Sequence, residues 1–380
     1  MKYCKICITT SLRPNAEFNS EGVCIACEFE NRNEIPNYPA NKSLLDKKIN
    51  DVIKNKDYVK KSTFDCVIGV SGGKDSLRQA QWVKDNLNLH PLLVCCSYPP
   101  LQMSEIGGAN LENLIKLGFD CEIFNPSPET SRLLSKKSFF EFGNVCKHTE
   151  KVLFSTVTRI AIEKEIPFVF WGENPSIQEG DSMSFGNDIF DANSIYKINT
   201  LSSGGDEWII NEVGKNKAAP YIFPVKELEK SNVQMLFLGP AWDDWSMYTN
   251  AAYASLSGMF LRPDEEKFTG DITNASMLDE VFTNINMMIK YFKFGFGRAS
   301  DAVNEGIRKG LFSRYDAIQI AKKYDGLCSD MIIDEYCKYI DISEKMFWKN
   351  IIKWTNKDLF SIDGLKKPQA KFEVGKDFNG

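Results

Sequence analysis

The sequence predicts an α/β fold with a doubly wound parallel sheet at its centre, and three observations support this prediction. Short apolar runs typical of buried strands occur at 66–70, 90–97, 120–124 and 168–171. Helical patterns separate them at 77–86, 109–117 and 149–164, and such alternation is typical of a doubly wound sheet. From residue 276 onward the patterns are helical, at 277–292, 300–306, 315–324, 330–339 and 343–353.

These patterns divide the chain into three predicted parts. They are a cysteine-bearing knuckle at 1–40, an α/β domain at 60–245 and a helical part at 246–380. The polar residues 31–62 are interpreted as a linker followed by a helix at 43–54, and residues 176–245 show no clear periodicity. The polar stretch from Lys366 is expected to be frayed.

Composition narrows the class of protein. The chain has 380 residues, 43% of them hydrophobic, and a net charge of -5, which disfavours a nucleic-acid-binding protein. The longest apolar runs are too short to span a bilayer, and the polar N-terminus does not resemble a signal peptide. Eleven cysteines without a secretion signal indicate a reducing compartment. We therefore expect a soluble cytoplasmic protein that binds neither membrane nor nucleic acid.

The first 30 residues carry a metal-binding pattern. Cys4 and Cys7 form one C-x-x-C pair, Cys24 and Cys27 form a second, and sixteen residues lie between the pairs. Four thiolates in two short knuckles suit tetrahedral Zn²⁺. The alternative interpretation is that the two C-x-x-C pairs arose by chance or form disulfides. Six other cysteines lie in apolar segments and are therefore expected to be core residues rather than metal ligands. They are Cys66, Cys95, Cys96, Cys121, Cys328 and Cys337.

A glycine turn follows the first predicted strand. It reads Ser71, Gly72, Gly73, Lys74, Asp75, Ser76. Two glycines permit positive φ and a close approach of a ligand to the main chain, and Asp75 and Ser76 are expected to cap the next helix. The N-terminus of a helix behind such a turn suits a phosphate. The lysine position excludes a Walker A loop.

Further polar residues follow other predicted strands. Ser97 ends the second strand, and Gly172, Glu173, Asn174 and Pro175 directly follow the strand at 168–171. Because ligands bind beyond the carboxyl ends of parallel strands, these residues and the glycine turn should converge on one cleft. The 172–175 segment has two interpretations, a contact to substrate or metal or a strand-ending turn.

Two more segments carry chemistry-bearing residues. In 293–301, Gly295, Gly297 and Ser300 interrupt a helical pattern, and Arg298 is suited to grip an anion. A plain turn between helices is the alternative. The aromatic and acidic segment 239–245 either binds a sugar or is a turn packed by tryptophans.

The glycine turn resembles the PP-loop, S-G-G-x-D-S, of ATP pyrophosphatases. The knuckles, Arg13-Pro14, the stretch 18–27, this loop, 172–175 and 293–301 together resemble the N-acetyl sugar amidotransferases of the WbpG and PseA type. That family implies a PP-loop ATPase fold and a carbon–nitrogen ligase. It would use ATP and Mg²⁺, release AMP and pyrophosphate, and convert a sugar N-acetyl group to an acetamidino group. The expected setting is lipopolysaccharide or flagellar sugar biosynthesis, the latter including pseudaminic acid and flagellin glycosylation.

The resemblance also suggests roles for individual residues. Asp75, Lys74 and Arg298 are predicted as catalytic, with Asp75 holding either the pyrophosphate part or Mg²⁺. The residues predicted to bind ATP are Ser71, Gly72, Gly73, Asp75, Ser76 and Ser97, and those predicted to bind the N-acetylated sugar or nucleotide sugar are Gly172, Glu173, Asn174 and Arg298. The alternatives are a tRNA-modifying sulfurtransferase, disfavoured by the acidic charge and the lack of a central C-x-x-C, or a non-catalytic zinc-knuckle protein, disfavoured by the complete PP-loop.

The histidines of the chain bear on whether it could release the ammonia for the amidine from glutamine by itself. The chain has two histidines, His90 before a predicted strand and His148 two residues from Cys146. Glutamine-hydrolysing enzymes use a nucleophilic cysteine, either with a histidine and an acid or at the mature N-terminus. His90 at the entrance of a predicted buried strand is poorly placed as a base, and His148 is too close to Cys146, since catalytic pairs are usually distant in sequence. The first cysteine, Cys4, is a predicted zinc ligand. We therefore expect free ammonia, or a separate glutaminase subunit, to supply the nitrogen.

Overall fold

A parallel sheet forms the centre of the molecule. The computed structural model describes residues 1–31, 38–54, 61–99, 101–175, 180–181, 186–263 and 269–379. In these residues, five parallel strands pair in the order β3-β2-β1-β4-β5, and they are β1 (Cys66–Gly69), β2 (Pro91–Cys96), β3 (Cys121–Phe124), β4 (Phe168–Trp171) and β5 (Gln234–Phe237). The predicted doubly wound parallel sheet is confirmed.

The strands are apolar on both faces because helices cover both. Along β1, Ile68 packs against the cluster that contains Leu77, whereas its neighbour Val67 packs against the cluster that contains Val157. Successive residues of a strand point to opposite faces. Strands buried in this way read as continuous apolar runs, which is why the sequence revealed them.

The helices of the first part are as follows: α1 (Ile25–Asn31), α2 (Tyr38–Ile53), α3 (Lys74–Leu87), α4 (Glu105–Lys116), α5 (Pro128–Phe142), α6 (Lys147–Glu163), α7 (Asn199–Ser202), α8 (Glu207–Val213), α9 (Lys215–Ala218), α10 (Val225–Lys230) and α11 (Met247–Leu256). Helices α2, α3, α4 and α11 contribute to the core on one face of the sheet, and α6 covers the other. Among the described residues, no helix is long and apolar enough to cross a membrane.

The order of the strands creates a switch point between β1 and β4. The chain leaves β1 toward β2 on one side, while β4 pairs with β5 on the other. Open α/β sheets bind ligands at such a point, beyond the carboxyl ends of the strands. The glycine turn follows β1 and the segment 172–175 follows β4, so the fold places both motifs at this point.

The C-terminal part has its own core. Its helices and two short antiparallel strands are α12 (Thr283–Phe294), α13 (Arg298–Arg308), α14 (Arg314–Tyr324), α15 (Asp330–Tyr339), α16 (Glu344–Trp354), β6 (Phe360–Ser361) and β7 (Gln369–Ala370). Phe139 of α5 packs into this core, with ring centroids 5.6 Å from Tyr336 and 5.4 Å from Phe347. The three-part division stays a prediction, and α11, just beyond the predicted boundary, packs against α3.

The cysteine-bearing N-terminus docks on the C-terminal helices rather than on the sheet. Ile8 N donates to Asn304 Oδ1 at 2.8 Å, and Arg314 Nε donates to the Cys7 carbonyl at 3.2 Å. Lys309 Nζ and Glu30 Oε1 are 3.0 Å apart. The two ends of the sequence therefore form one side of the molecule.

The prediction that the chain frays from Lys366 is wrong. Phe372 and Val374 are buried in the helical core, and Gln369–Ala370 pairs with Phe360–Ser361. Phe378 N donates to the Met1 carbonyl at 2.8 Å, and Tyr3 N donates to Asp377 Oδ1 at 2.8 Å. Contacts with the N-terminus hold the polar tail in place.

Candidate active site

Of the two glycines in the turn, Gly72 adopts the positive φ that the sequence permits, whereas Gly73 has φ -75°. Gly72 has φ +84°, and a Cβ there would lie 2.7 Å from Leu111 N. Only glycine fits a left-handed position so close to another backbone. The turn therefore rests directly on α4, which fixes its shape.

The prediction that Asp75 and Ser76 cap the following helix is wrong. Helix α3 begins at Lys74, its N-cap is Gly73, and no side chain caps it. Ser76 Oγ instead donates to the Gly73 carbonyl at 3.1 Å. Amides in the first turn of an uncapped helix remain available to an anion.

Asp75 is held as an anion at this turn. Its Oδ2 accepts from Lys74 Nζ at 2.7 Å, and its Oδ1 accepts from Asn250 Nδ2 at 2.7 Å. Burial alone would raise the pKa of the Asp75 carboxyl, but the Lys74 ammonium, the bond from Asn250 and the more distant Arg298 lower it below its usual value. The site thus presents a fixed ion pair beside the open helix terminus.

A cavity of about 870 Å³ lies next to this ion pair. Of the residues predicted for the site, Lys74, Asp75, Glu173 and Arg298 line it. Its volume falls in the upper part of the range of about 300–1,000 Å³ typical of ligand pockets. The cavity therefore offers room for more than the phosphates of one nucleotide.

Arg298 is both part of a turn and part of the cavity wall. Helix α12 ends at Phe294, its C-cap Gly295 has φ +77°, and α13 begins at Arg298 after Gly297. The Arg298 guanidinium donates to Ser276 Oγ. Because a short turn places it at the first position of α13, Arg298 lines the same cavity as Lys74 and Asp75.

Three other residues predicted for the site, Gly172, Asn174 and Ser97, do not line the cavity themselves. A Cβ on Gly172 would lie 2.6 Å from the ring of Trp245, which itself lines the cavity. Asn174 is buried and its Nδ2 donates to the Ile189 carbonyl at 2.8 Å. The Ser97 hydroxyl lies 3.4 Å from Met103 Sδ. Asn174 and Ser97 are not among the lining residues, and their roles stay predictions.

The segment 239–245 is a turn packed by aromatic rings. Trp242 stacks on Trp82 with centroids 4.5 Å apart and contacts Trp245 at 4.8 Å. Arg78 lies 5.0 Å from the Trp242 ring. Trp242 is 4% exposed, so its faces are not open to a sugar.

Several charged residues of the cavity were not predicted. They come from the knuckle, from α6 and from α12 and α13, and they include Arg13, Lys147, Glu150, Lys290, Lys293, Asp301, Glu305 and Arg308. Asp301 pairs with both Arg13 and Lys290. Although burial opposes it, Lys290 and Arg13 lower the pKa of the Asp301 carboxyl to about 2. This network joins the knuckle to the cavity.

The four N-terminal cysteines form a compact ligand set. Their sulfurs all lie within 4.8 Å of one another, and Cys7 Sγ and Cys24 Sγ are 3.7 Å apart. Tetrahedral Zn²⁺ with Zn–S bonds of about 2.3 Å implies sulfur separations of roughly 3.8 Å. A cubane iron–sulfur cluster holds its cysteines farther apart because its own sulfides and irons lie between them. Backbone N–H groups of Ile6 and Cys24 lie 3.4 and 3.3 Å from Cys4 Sγ, as suits a thiolate.

The fold and the turn define the class of the protein. A parallel sheet of this order, with the S-G-G-K-D-S loop after its central strand, makes it an α/β protein of the PP-loop type. Residues 266–372 match the family model described as "LPS biosynthesis protein WbpG-like, C-terminal domain". The C-terminal helical part is therefore similar to that domain, and the predicted resemblance to WbpG-type proteins is confirmed.

Among solved structures, the chain is similar to the U34-tRNA thiolase NcsA from Methanococcus maripaludis with its [4Fe-4S] cluster. The identity is 14% and the TM-score 0.32, and the match covers 80% of this chain and 87% of that chain. No curated protein sequence matches the chain.

Proposed function

We propose that the protein is an ATP-dependent amidotransferase that converts the N-acetyl group of a sugar to an acetamidino group. The observation that carries this proposal is a shared cavity. Lys74 and Asp75 of the PP-loop and Lys290, Lys293, Arg298 of the WbpG-like domain line the same space. A nucleotide held at the loop and an acceptor held by the helical domain would meet there.

The chemistry follows from the poor reactivity of an amide carbon. The acetamido oxygen attacks the α-phosphorus of ATP, the α–β bridging P–O bond breaks, and pyrophosphate leaves. The amide nitrogen then loses its proton, which gives an O-adenylyl imidate. Ammonia adds to the imidate carbon and the C–O bond to AMP breaks. The products are an amidine, AMP and pyrophosphate.

The site residues suit the charge changes of this sequence. The first turn of α3 and the Lys74 ammonium face the phosphates, whose charge grows as pyrophosphate leaves. Asp75, kept ionised by Lys74 and Asn250, either orients that lysine or contacts Mg²⁺. Arg298, which lines the same cavity, would contact the acceptor or the adenylyl phosphate.

For the knuckle we propose one structural Zn²⁺ bound by Cys4, Cys7, Cys24 and Cys27. The short sulfur separations support it. All four cysteines are buried, which leaves little room for a substrate at the metal. The ion would fix the loop that carries Arg13 against α13.

The proposed nitrogen donor is ammonia, free or passed on by a separate glutaminase subunit. Cys146 is 5% exposed and its Sγ lies 3.6 Å from Glu280 Oε2. His148 is fully buried, which lowers its pKa to about 3, and its Nε2 lies 3.4 Å from Thr149 Oγ1. A cysteine and a histidine so enclosed are poorly placed to hydrolyse glutamine.

The test is to supply purified protein with ATP, Mg²⁺ and N-acetyl sugars or nucleotide sugars, with either ammonium chloride or glutamine. We expect AMP, pyrophosphate and amidine with ammonium, and at most a trace of amidine with glutamine. Mass spectrometry of the sugar and chromatography of the nucleotides report both results. Equal amidine formation from glutamine would show a glutaminase within this chain. Sulfur transfer to tRNA without amidine would contradict the proposal altogether.

A further inference from the structure

Part of the polar lining of the cavity comes from elements that do not form the PP-loop. We call Phe142, Lys147, Glu150, Ser203, Lys293 and Trp354 the distal wall, and all six line the cavity. They come from α5, α6, the end of α7, α12 and α16. None of these elements contributes to the glycine turn.

Two ammonium groups of the distal wall donate hydrogen bonds to neutral oxygens. Lys147 Nζ donates to Ser203 Oγ at 2.8 Å, and Lys293 Nζ donates to the Phe142 carbonyl at 2.9 Å. Within the described residues, neither forms an ion pair, whereas Lys74 and Lys290 in the same cavity do. Burial lowers the pKa of both ammonium groups. That of Lys147 falls to about 8, because the Lys151 charge adds to the effect of burial while the Glu150 carboxyl only partly opposes it. Desolvated cations that are not engaged in a close ion pair favour an anionic ligand.

The first turn of α6 adds to this preference. Lys147 is its first residue, and no side chain caps the helix. Because α6 packs on the sheet and leads into the start of β4, its N-terminus lies at the same sheet edge as that of α3. The two helices cover opposite faces. The cavity thus reaches two uncapped helix termini, each with a lysine in its first turn.

Glu150 gives an independent sign of a ligand here. Its Oε2 is buried and has no hydrogen-bond partner among the described residues. Burial raises the pKa of this carboxyl to about 7, although the Lys147 charge and a hydrogen bond with Thr200 oppose the rise, so near neutrality the carboxyl is partly protonated and then able to donate a hydrogen bond. A phosphate oxygen would satisfy it.

Aromatic rings complete the distal wall. Lys147 Nζ lies 5.2 Å from the Phe142 centroid, and Lys293 Nζ lies 5.3 Å from that of Trp354. These rings exclude water around the two ammonium groups, which strengthens their interaction with an anion.

We propose that the distal wall binds a phosphate group of the acceptor, at a site separate from the one that holds the phosphates of ATP. That this phosphate belongs to the acceptor rests on the proposed function. An acceptor with one end at the distal wall would place its acetamido group toward the PP-loop. The preferred acceptor is therefore a phosphorylated sugar rather than a neutral one.

Binding by the full-length protein tests this without any turnover. The protein is saturated with α,β-methylene-ATP and then titrated by calorimetry with inorganic phosphate, N-acetylglucosamine 1-phosphate or N-acetylglucosamine. We expect about one phosphate site per chain, occupied by the sugar phosphate at least as tightly and not by the neutral sugar. Lys147→Gln and Lys293→Gln should each weaken binding about tenfold, since each removes a charge-assisted hydrogen bond. Lys147→Arg should restore most of it.

The exposed Lys345→Gln is the matched control and should change nothing. Each variant should bind α,β-methylene-ATP as wild type does, which shows that it is folded. No phosphate binding once the analogue is bound, or equal binding by the glutamine variants, would overturn the proposal. A protein that passes this test but forms no amidine would contradict the proposed function and leave the phosphate site standing.

Discussion

Asp75→Asn is expected to lower AMP formation by about 10²–10³-fold, comparable with the loss of one group that stabilises developing charge. The carboxylate accepts from Lys74 and from Asn250. An asparagine can accept only one of these bonds and turns an amide donor toward the other. It also removes the negative charge that fixes Lys74 beside the phosphates, or that contacts Mg²⁺.

This prediction is checked by the rate of AMP formation at saturating ATP, with unfolding followed in parallel. The control is Asp85→Asn, an exposed acid near the other end of the same helix, which should be as active as wild type. Near-normal turnover of the Asp75 variant would contradict its assignment. An unfolded variant would instead show that the carboxylate serves stability first.

Cys27→Ser is expected to remove the bound metal and to lower the free energy of unfolding by several kcal/mol. Structural zinc supplies folding energy directly, because the unfolded chain offers no preformed site. The knuckle has a small apolar cluster of its own and is docked through Ile8 to Asn304 and through Arg13 to Asp301. Its release would remove Arg13 from the cavity, so AMP formation should fall as well.

Elemental analysis of wild-type protein should find about one zinc per chain. The control is Cys121→Ser, which changes a partly exposed cysteine outside the cluster and should keep the metal. Iron in place of zinc would contradict the proposed ion. A folded and active wild-type sample without metal would contradict a structural role.

The elements of the fold that could be predicted from the sequence are those with a clear local pattern. Strands β1 to β4 were found because each is an apolar run bounded by turns. Strand β5 was missed, although residues 235–238 form a similar run. It lies among short helices without clear periodicity, and its pairing with β4 is a long-range contact that no local pattern indicates. Helix α5 was missed for a related reason, since its buried positions include Thr130, Ser131, Ser135 and Ser138.

The residues of the candidate site also fall into those with a local sequence signal and those without one. The PP-loop was predictable because its glycines, its lysine and its acid are contiguous in sequence. Arg13, Lys147 and Lys293 were not, because they meet only when the knuckle, α6 and α12 pack around one cavity. Each of the three lies in or beside a segment that was singled out from the sequence, but no sequence motif relates residues that are so far apart in the chain.

The most direct test of the central claim is the fate of the acetamido oxygen. The acceptor is labelled with ¹⁸O in its N-acetyl carbonyl and incubated with ATP, Mg²⁺ and ammonium, and the AMP is examined by mass spectrometry. The proposed function predicts one ¹⁸O atom in the phosphoryl group of each AMP and none in the pyrophosphate. Label in the inorganic products, or AMP without label beside an acceptor that has kept its oxygen, would contradict adenylylation of the N-acetyl group.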